Sequence, residues 1–158
     1  MKFKFFLIAF LSINFTCFAQ SKKEVKQHKI KASAVMVTEN GKTINESKTI
    51  FDAKGNETEV TDYNKEGNIK SIHKIKYNSE GDEIEDDQYD GNNKFIEKKI
   101  TKYNMSSEKT EEHYFDAAGK LTKKHIYIYD KQGLKTERKT LDTDGKIILV
   151  KKYVYITK

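Results

Sequence analysis

Phe51-Asp52-Ala53-Lys54-Gly55-Asn56, Tyr63-Asn64-Lys65-Glu66-Gly67-Asn68 and Tyr77-Asn78-Ser79-Glu80-Gly81-Asp82 are three copies of one phrase. Each has an aromatic anchor, Asp or Asn next, and Gly four residues after the anchor. Counting outward in both directions, anchors fall at Val37, Phe51, Tyr63, Tyr77, Tyr89, Tyr103, Phe115, Tyr129, Leu141 and Tyr155. Long and short gaps alternate strictly, as from Phe51 to Tyr63 and then from Tyr63 to Tyr77, so every second anchor recurs at a constant interval. A fixed period of this length marks a repeat architecture.

The phrase has a physical reading. Asp or Asn opens a type I turn, and Gly takes the left-handed position that closes it, which makes a hairpin loop. Gly is replaced in two copies, by Asn93 and Ser107. Asn tolerates the left-handed region and Ser tolerates it poorly. The strand between these copies, Phe95 to Tyr103, is therefore expected to be the least regular. Strands should run from the sixth residue after one anchor to the next anchor, with β-branched and aromatic residues favouring them. The chain has no Pro to interrupt interior strands.

The expected fold is all-β: an antiparallel meander of nine or ten strands in a single extended or curled sheet. Anchors then alternate between opposite strand ends. Phe51, Tyr77, Tyr103, Tyr129 and Tyr155 line one edge, and Val37, Tyr63, Tyr89, Phe115 and Leu141 the other. Same-edge anchors are two strands apart, ~9.6 Å. The sequence leaves open which anchors share a face. Pairing each anchor with the residue five later sets Glu59 against Lys48, Glu57 and Glu85 beside Lys74, Glu83 against Lys76, Glu85 against Lys98, and Glu111 against Lys124.

The ends of the chain read differently. Lys2 and Lys4 precede an apolar run from Phe5 to Phe18, with Cys17 and Ala19 as small residues before a polar start. This is the pattern of a secretory signal peptide over residues 1–19, cleaved after Ala19. The run is too short for a membrane span. Asn14-Phe15-Thr16 lacks the residues a lipoprotein signal places before its Cys. Cleavage removes the single Cys, so the mature chain has no disulfide or thiolate chemistry. Removing Lys2 and Lys4 takes the formal charge from +6 to +4, and all of that +4 sits between Gln20 and Lys31. Residues 20–33 read as a basic flexible arm and 34–158 as the repeat domain. A near-neutral repeat domain excludes nucleic acid, which needs positive charge on the folded part.

The phrase resembles the YD repeats of the RHS family, most closely over Tyr63 to Asn68, Phe115 to Leu121 and Tyr129 to Leu134. The resemblance implies a hairpin-array fold and a secreted bacterial setting, and members of that family are often labelled carbohydrate-binding. The chain is too short for the family's closed shells. It lacks the Asp-Pro motif of the self-cleaving members, so encapsulation and autoproteolysis are not implied.

Candidate chemistry is sparse. Glu80, Asp82, Glu83, Glu85, Asp86, Asp87 and Asp90 form the densest acidic run, but in a strand such a run divides between two faces. Ca²⁺ needs its oxygens to converge, so pairing with neighbouring lysines is expected instead. His73 and His125 hold equivalent positions four strands apart and read as surface histidines too distant to share a metal. No catalytic residue, cofactor or metal site is assigned. Tyr77, Tyr103, Tyr127, Tyr129, Tyr153 and Tyr155 form the candidate interaction surface. Their rings could stack on a sugar or a protein, or pack on each other to hold strand ends. The expected function is a secreted or cell-envelope β-repeat protein without catalysis, not membrane-spanning once the signal is cleaved. It would present a sheet surface to an unidentified protein, or bind glycans through the tyrosine edge. Open sheet ends also predict edge-strand self-association.

Overall fold

The computed structural model describes residues 21–156. The signal-peptide and cleavage expectations for residues 1–19 lie outside the described residues. A short helix, α1 (Lys22–Gln27), precedes ten strands: β1 (Ala32–Glu39), β2 (Lys42–Phe51), β3 (Glu57–Tyr63), β4 (Ile69–Tyr77), β5 (Glu83–Asp90), β6 (Phe95–Tyr103), β7 (Lys109–Asp116), β8 (Leu121–Tyr129), β9 (Lys135–Leu141) and β10 (Ile147–Lys152). They form one antiparallel sheet in sequence order, the expected meander.

The turns behave as the phrase implies. The Gly55 amide donates to the Asp52 carbonyl at 3.0 Å, and the Asp52 amide donates to Asn56 at 2.9 Å. The Asp52 carboxylate accepts from the amides of Lys54 and Asn56. The side-chain oxygens of Asn64, Asp90, Asn104, Asp116, Asp130 and Asp142 repeat this pattern, two and four residues on. Two turn amides that the bend would orphan are thereby satisfied.

Two expectations about turns fail. Asn93 and Ser107 adopt φ of +60° and +57° and close the same turns as glycine does. The strand β6 between them is unbroken from Phe95 to Tyr103. The side-chain and backbone hydrogen bonds of each loop outweigh the local cost of a left-handed Ser. The second failure is at Val37, where no turn phrase follows. Asn40-Gly41 instead forms a two-residue loop between the paired residues Glu39 and Lys42. Their φ values of +52° and +76° are those of a type I′ turn, which Asn-Gly favours. Thr38 supplies no Asx carboxamide or carboxylate there.

The register is two residues away from the expected one. Phe51 opposes Glu57 but Ile50 opposes Glu59, leaving Thr58 as an extra, bulged residue. The same bulge recurs at the start of every strand from β3 to β10. Four bulged residues are threonines. The hydroxyls of Thr58, Thr110, Thr122 and Thr136 each donate to the carbonyl eight residues earlier. A slide of two keeps every side chain on its face. Glu59 therefore faces Lys74 and Lys76 faces Glu85. Lys98 reaches Glu85 diagonally at 3.3 Å, and Lys124 reaches Glu111 at 2.7 Å.

The register also settles the faces, because directly opposed residues share one. Phe51, Tyr77, Tyr103 and Tyr129 fall on one face, called here the latch face, and Tyr155, beyond the end of β10, bonds back to β9 in the same way. Tyr63, Tyr89, Phe115 and Leu141 fall on the other. The aromatic anchors of the two edges thus shield opposite sides of a single layer.

Part of the segment read as an arm, Lys22–Gln27, is helical. Ser21 caps α1 in a reciprocal box with Glu24, and Val25 is the one apolar side chain buried among the described residues. The helix sits on the Asp52–Asn56 turn. A Cβ on Gly55 would lie 2.7 Å from the Lys22 carbonyl oxygen, so only glycine allows this approach.

Candidate functional site

The six candidate tyrosines separate into two groups. Tyr77, Tyr103, Tyr129 and Tyr155 each donate their hydroxyl to a backbone carbonyl on the preceding strand, at 2.8 to 2.9 Å. The acceptors are Glu57, Glu83, Lys109 and Lys135, the first residues of β3, β5, β7 and β9. Each carbonyl lies next to a strand-start bulge. The tyrosines are thus latches between successive strands, one in every double repeat. Burial, and after it the charges of Glu83 and Glu57, push the Tyr77 phenol up to about 12, so it remains a donor throughout the physiological range.

Tyr127 belongs elsewhere. On the latch face, the Glu112 carboxylate accepts from the hydroxyls of Tyr127 and Tyr114 and pairs with Lys109 at 2.7 Å and His125 at 3.1 Å. Glu112 and His125 are only 6% and 9% exposed, so the surface reading of His125 is overturned. The Tyr114 ring packs edge-on against His125 with centroids 5.0 Å apart. Burial alone would raise the Glu112 pKa. Hydrogen bonds from Lys109, Tyr127 and His125 overcome it and hold the carboxyl at about 2. Tyr153 falls with Tyr127, the Lys135 ammonium lying 5.3 Å from its ring and 5.0 Å from the ring of Tyr127.

The Glu112 cluster is part of a longer line. His73, Asp86, Lys99, Glu112, His125, Arg138 and Lys151 recur at a constant interval, one per strand from β4 to β10. All lie on the latch face. His73 bonds Asp86 at 2.9 Å, and Lys99 reaches Asp86 at 3.3 Å and Glu83 at 2.7 Å. The equivalent histidines take acids from opposite neighbours: His73 bonds Asp86 on the following strand, whereas His125 bonds Glu112 on the preceding one. Half of the double period was the sequence signal for this spine, and it is hidden beneath the more visible alternation of long and short gaps. Arg138 and Lys151 form no ion pair among the described residues.

On the opposite face, Lys76, Lys98, Lys102 and Lys124 bracket Glu85, Asp87 and Glu111 at 2.6 to 3.4 Å. The acidic run therefore divides between the faces and pairs with lysines on both, as its spacing implied. No group of three or more His, Cys, Asp or Glu side chains converges on a metal position among the described residues.

The β10 strand stands apart from these networks. Ile147, Ile148, Leu149 and Val150 are exposed by 42% to 60% on the last strand of an open sheet. Beyond them, Val154 and Ile156 are exposed as well. No helix among the described residues is long and apolar enough to cross a membrane.

No protein-family model matches the sequence, and no curated protein matches it. Among solved structures, a protein of unknown function from Bacteroides fragilis NCTC 9343 is similar at 17% identity and a TM-score of 0.43, over 82% of this chain and 96% of that one. TarM is similar at 15% identity and a TM-score of 0.32, and the chain spans 22% of its length. A DUF3836 family protein from Bacteroides vulgatus ATCC 8482 is similar at 13% identity and a TM-score of 0.25, over 71% of this chain and 99% of that one.

Proposed function

We propose that this chain is a secreted or cell-envelope β-repeat protein without a catalytic role, which acts by offering its terminal strand to a protein partner. The exposed apolar run of β10 carries this reading. A terminal strand leaves one row of backbone N–H and C=O groups unpaired, and natural sheets normally blunt such an edge. Here four consecutive apolar residues occupy it, with Lys151 and Lys152 only at the end. Strand addition would use the open backbone for affinity and these side chains for selectivity. The tyrosine edge supports a glycan-binding reading less well, because four of its hydroxyls are already engaged within the sheet.

A photo-crosslinking residue placed at Ile148 in the native cell tests this. The expected result is one protein adduct, lost when Val150→Lys is added and absent when the probe is at Thr38 on β1. Equal labelling at both edges, or no adduct, would remove the support. N-terminal sequencing of the exported protein tests the compartment, with Gln20 expected as the first residue.

A further inference from the structure

Between α1, the segment that follows it and the end of β2 lies an open cleft of about 660 Å³. Its walls are Ile30, Ile50 and Phe51, with Val25 at its base. That volume falls within the range of small-molecule sites, which are mostly apolar with a few placed polar groups. A smaller apolar recess, of about 260 Å³, lies beside Phe95, Ile100 and Phe115.

The rim of the larger cleft is basic. Lys26, Lys29 and Lys31 line the same cleft, and none forms an ion pair among the described residues. The one acid there, Asp52, is committed to its own turn, where it accepts from Lys54 and from the amide and side chain of Asn56. Lys29 holds φ of +52°, a conformation unfavourable for any residue with a Cβ. The amides of Lys29 and Ile30 bond back to Lys26 and Val25, which fixes this bend. The bend carries the three lysines around apolar walls.

We propose that the cleft binds a single-chain anionic amphiphile, a long-chain fatty acid, with its acyl chain against Ile30, Ile50 and Phe51 and its carboxylate among Lys26, Lys29 and Lys31. Three unpaired cations select against a neutral head, and apolar walls select for a hydrocarbon tail. This site is separate from the β10 edge.

Calorimetric titration of the purified full chain with laurate and myristate, below their micellar concentrations, tests it. Saturable binding of one molecule per chain is expected, tightening about fourfold for each methylene that enters the cleft. Lys26→Glu, Lys29→Glu and Lys31→Glu together should weaken laurate at least tenfold at low salt, while circular dichroism stays unchanged because all three side chains are exposed. Dodecanol should bind more weakly than laurate and respond little to the triple variant. The proposal is overturned by absent or unsaturable binding, or by a triple variant that binds laurate normally. It is equally overturned if phosphatidylglycerol vesicles bind through these lysines while monomeric fatty acid does not.

Discussion

The Tyr103 hydroxyl donates to the backbone carbonyl oxygen of Glu83 at 2.9 Å, tying the end of β6 to the start of β5. Tyr103→Phe keeps the ring and removes only this bond. It should cost about 1 kcal/mol, the net value of one part-buried hydrogen bond. Tyr63, an anchor of the other face, makes no side-chain hydrogen bond among the described residues, so Tyr63→Phe should change stability by less than ~0.5 kcal/mol. Urea denaturation of both variants would show the difference, and equal effects would refute the latch.

Glu112 makes stability depend on acid. Its folded pKa of about 2 lies below the 4.5 of an unperturbed glutamate. A depressed carboxylate contributes fully above the unfolded value, and the contribution is lost as pH falls from 4.5 towards 2. The stabilisation at neutral pH is on the order of 3 kcal/mol. Glu112→Gln should flatten that part of the pH–stability curve. A variant that still loses stability as steeply as the parent between these values would contradict the cluster.

Ser107 occupies a position that suits glycine, at φ of +57°. Ser107→Gly relieves about 1 kcal/mol of backbone strain and forfeits roughly half of that to the more flexible unfolded chain. A small rise in melting temperature is the expected outcome. A fall would mean that the loop does not impose the conformation described.

Gly55→Ala and Gly145→Ala form a matched pair. Both glycines have positive φ, +82° and +78°, so both variants carry the same backbone penalty. An added Cβ meets nothing within 4 Å at Gly145 but meets the Lys22 carbonyl at 2.7 Å at Gly55. Only Gly55→Ala should therefore displace α1. Trypsin should then cut faster at Lys26 and Lys29, while Gly145→Ala leaves those sites as protected as before.

The meander was legible because its signal is local. The Asp or Asn that opens each loop and the Gly that closes it stand within one turn. The register was not legible, because the bulge at Thr58 and its equivalents depends on which carbonyl needs a partner across the strand. Parity survived, so the charge pairs moved between direct and diagonal contacts without leaving their faces. The Glu112 cluster escaped notice for a related reason. Its donors, Lys109, Tyr114, His125 and Tyr127, come from two strands, and in an array full of carboxylates no local pattern marks the one that is buried. The α1 capping box, Ser21-Lys22-Lys23-Glu24, went unread, because a six-residue helix carries too short a pattern to stand out in a lysine-rich segment.

Each strand of this sheet pairs only with its sequence neighbours, and the latches, bulges and spine all repeat with the chain. The array therefore behaves as a ruler whose length is written in repeat number. Inserting one double unit would add ~9.6 Å of width. It would leave the existing loops and latches unchanged, because each lies within a pair of adjacent strands; the 4.0 Å ion pair from Lys123 on β8 to Glu97 on β6 is a contact that reaches across an intervening strand. Deleting one unit would shorten the span by the same step. Distance between the α1 end and the β10 edge is thus a quantity that evolution, or an engineer, can set by duplication alone.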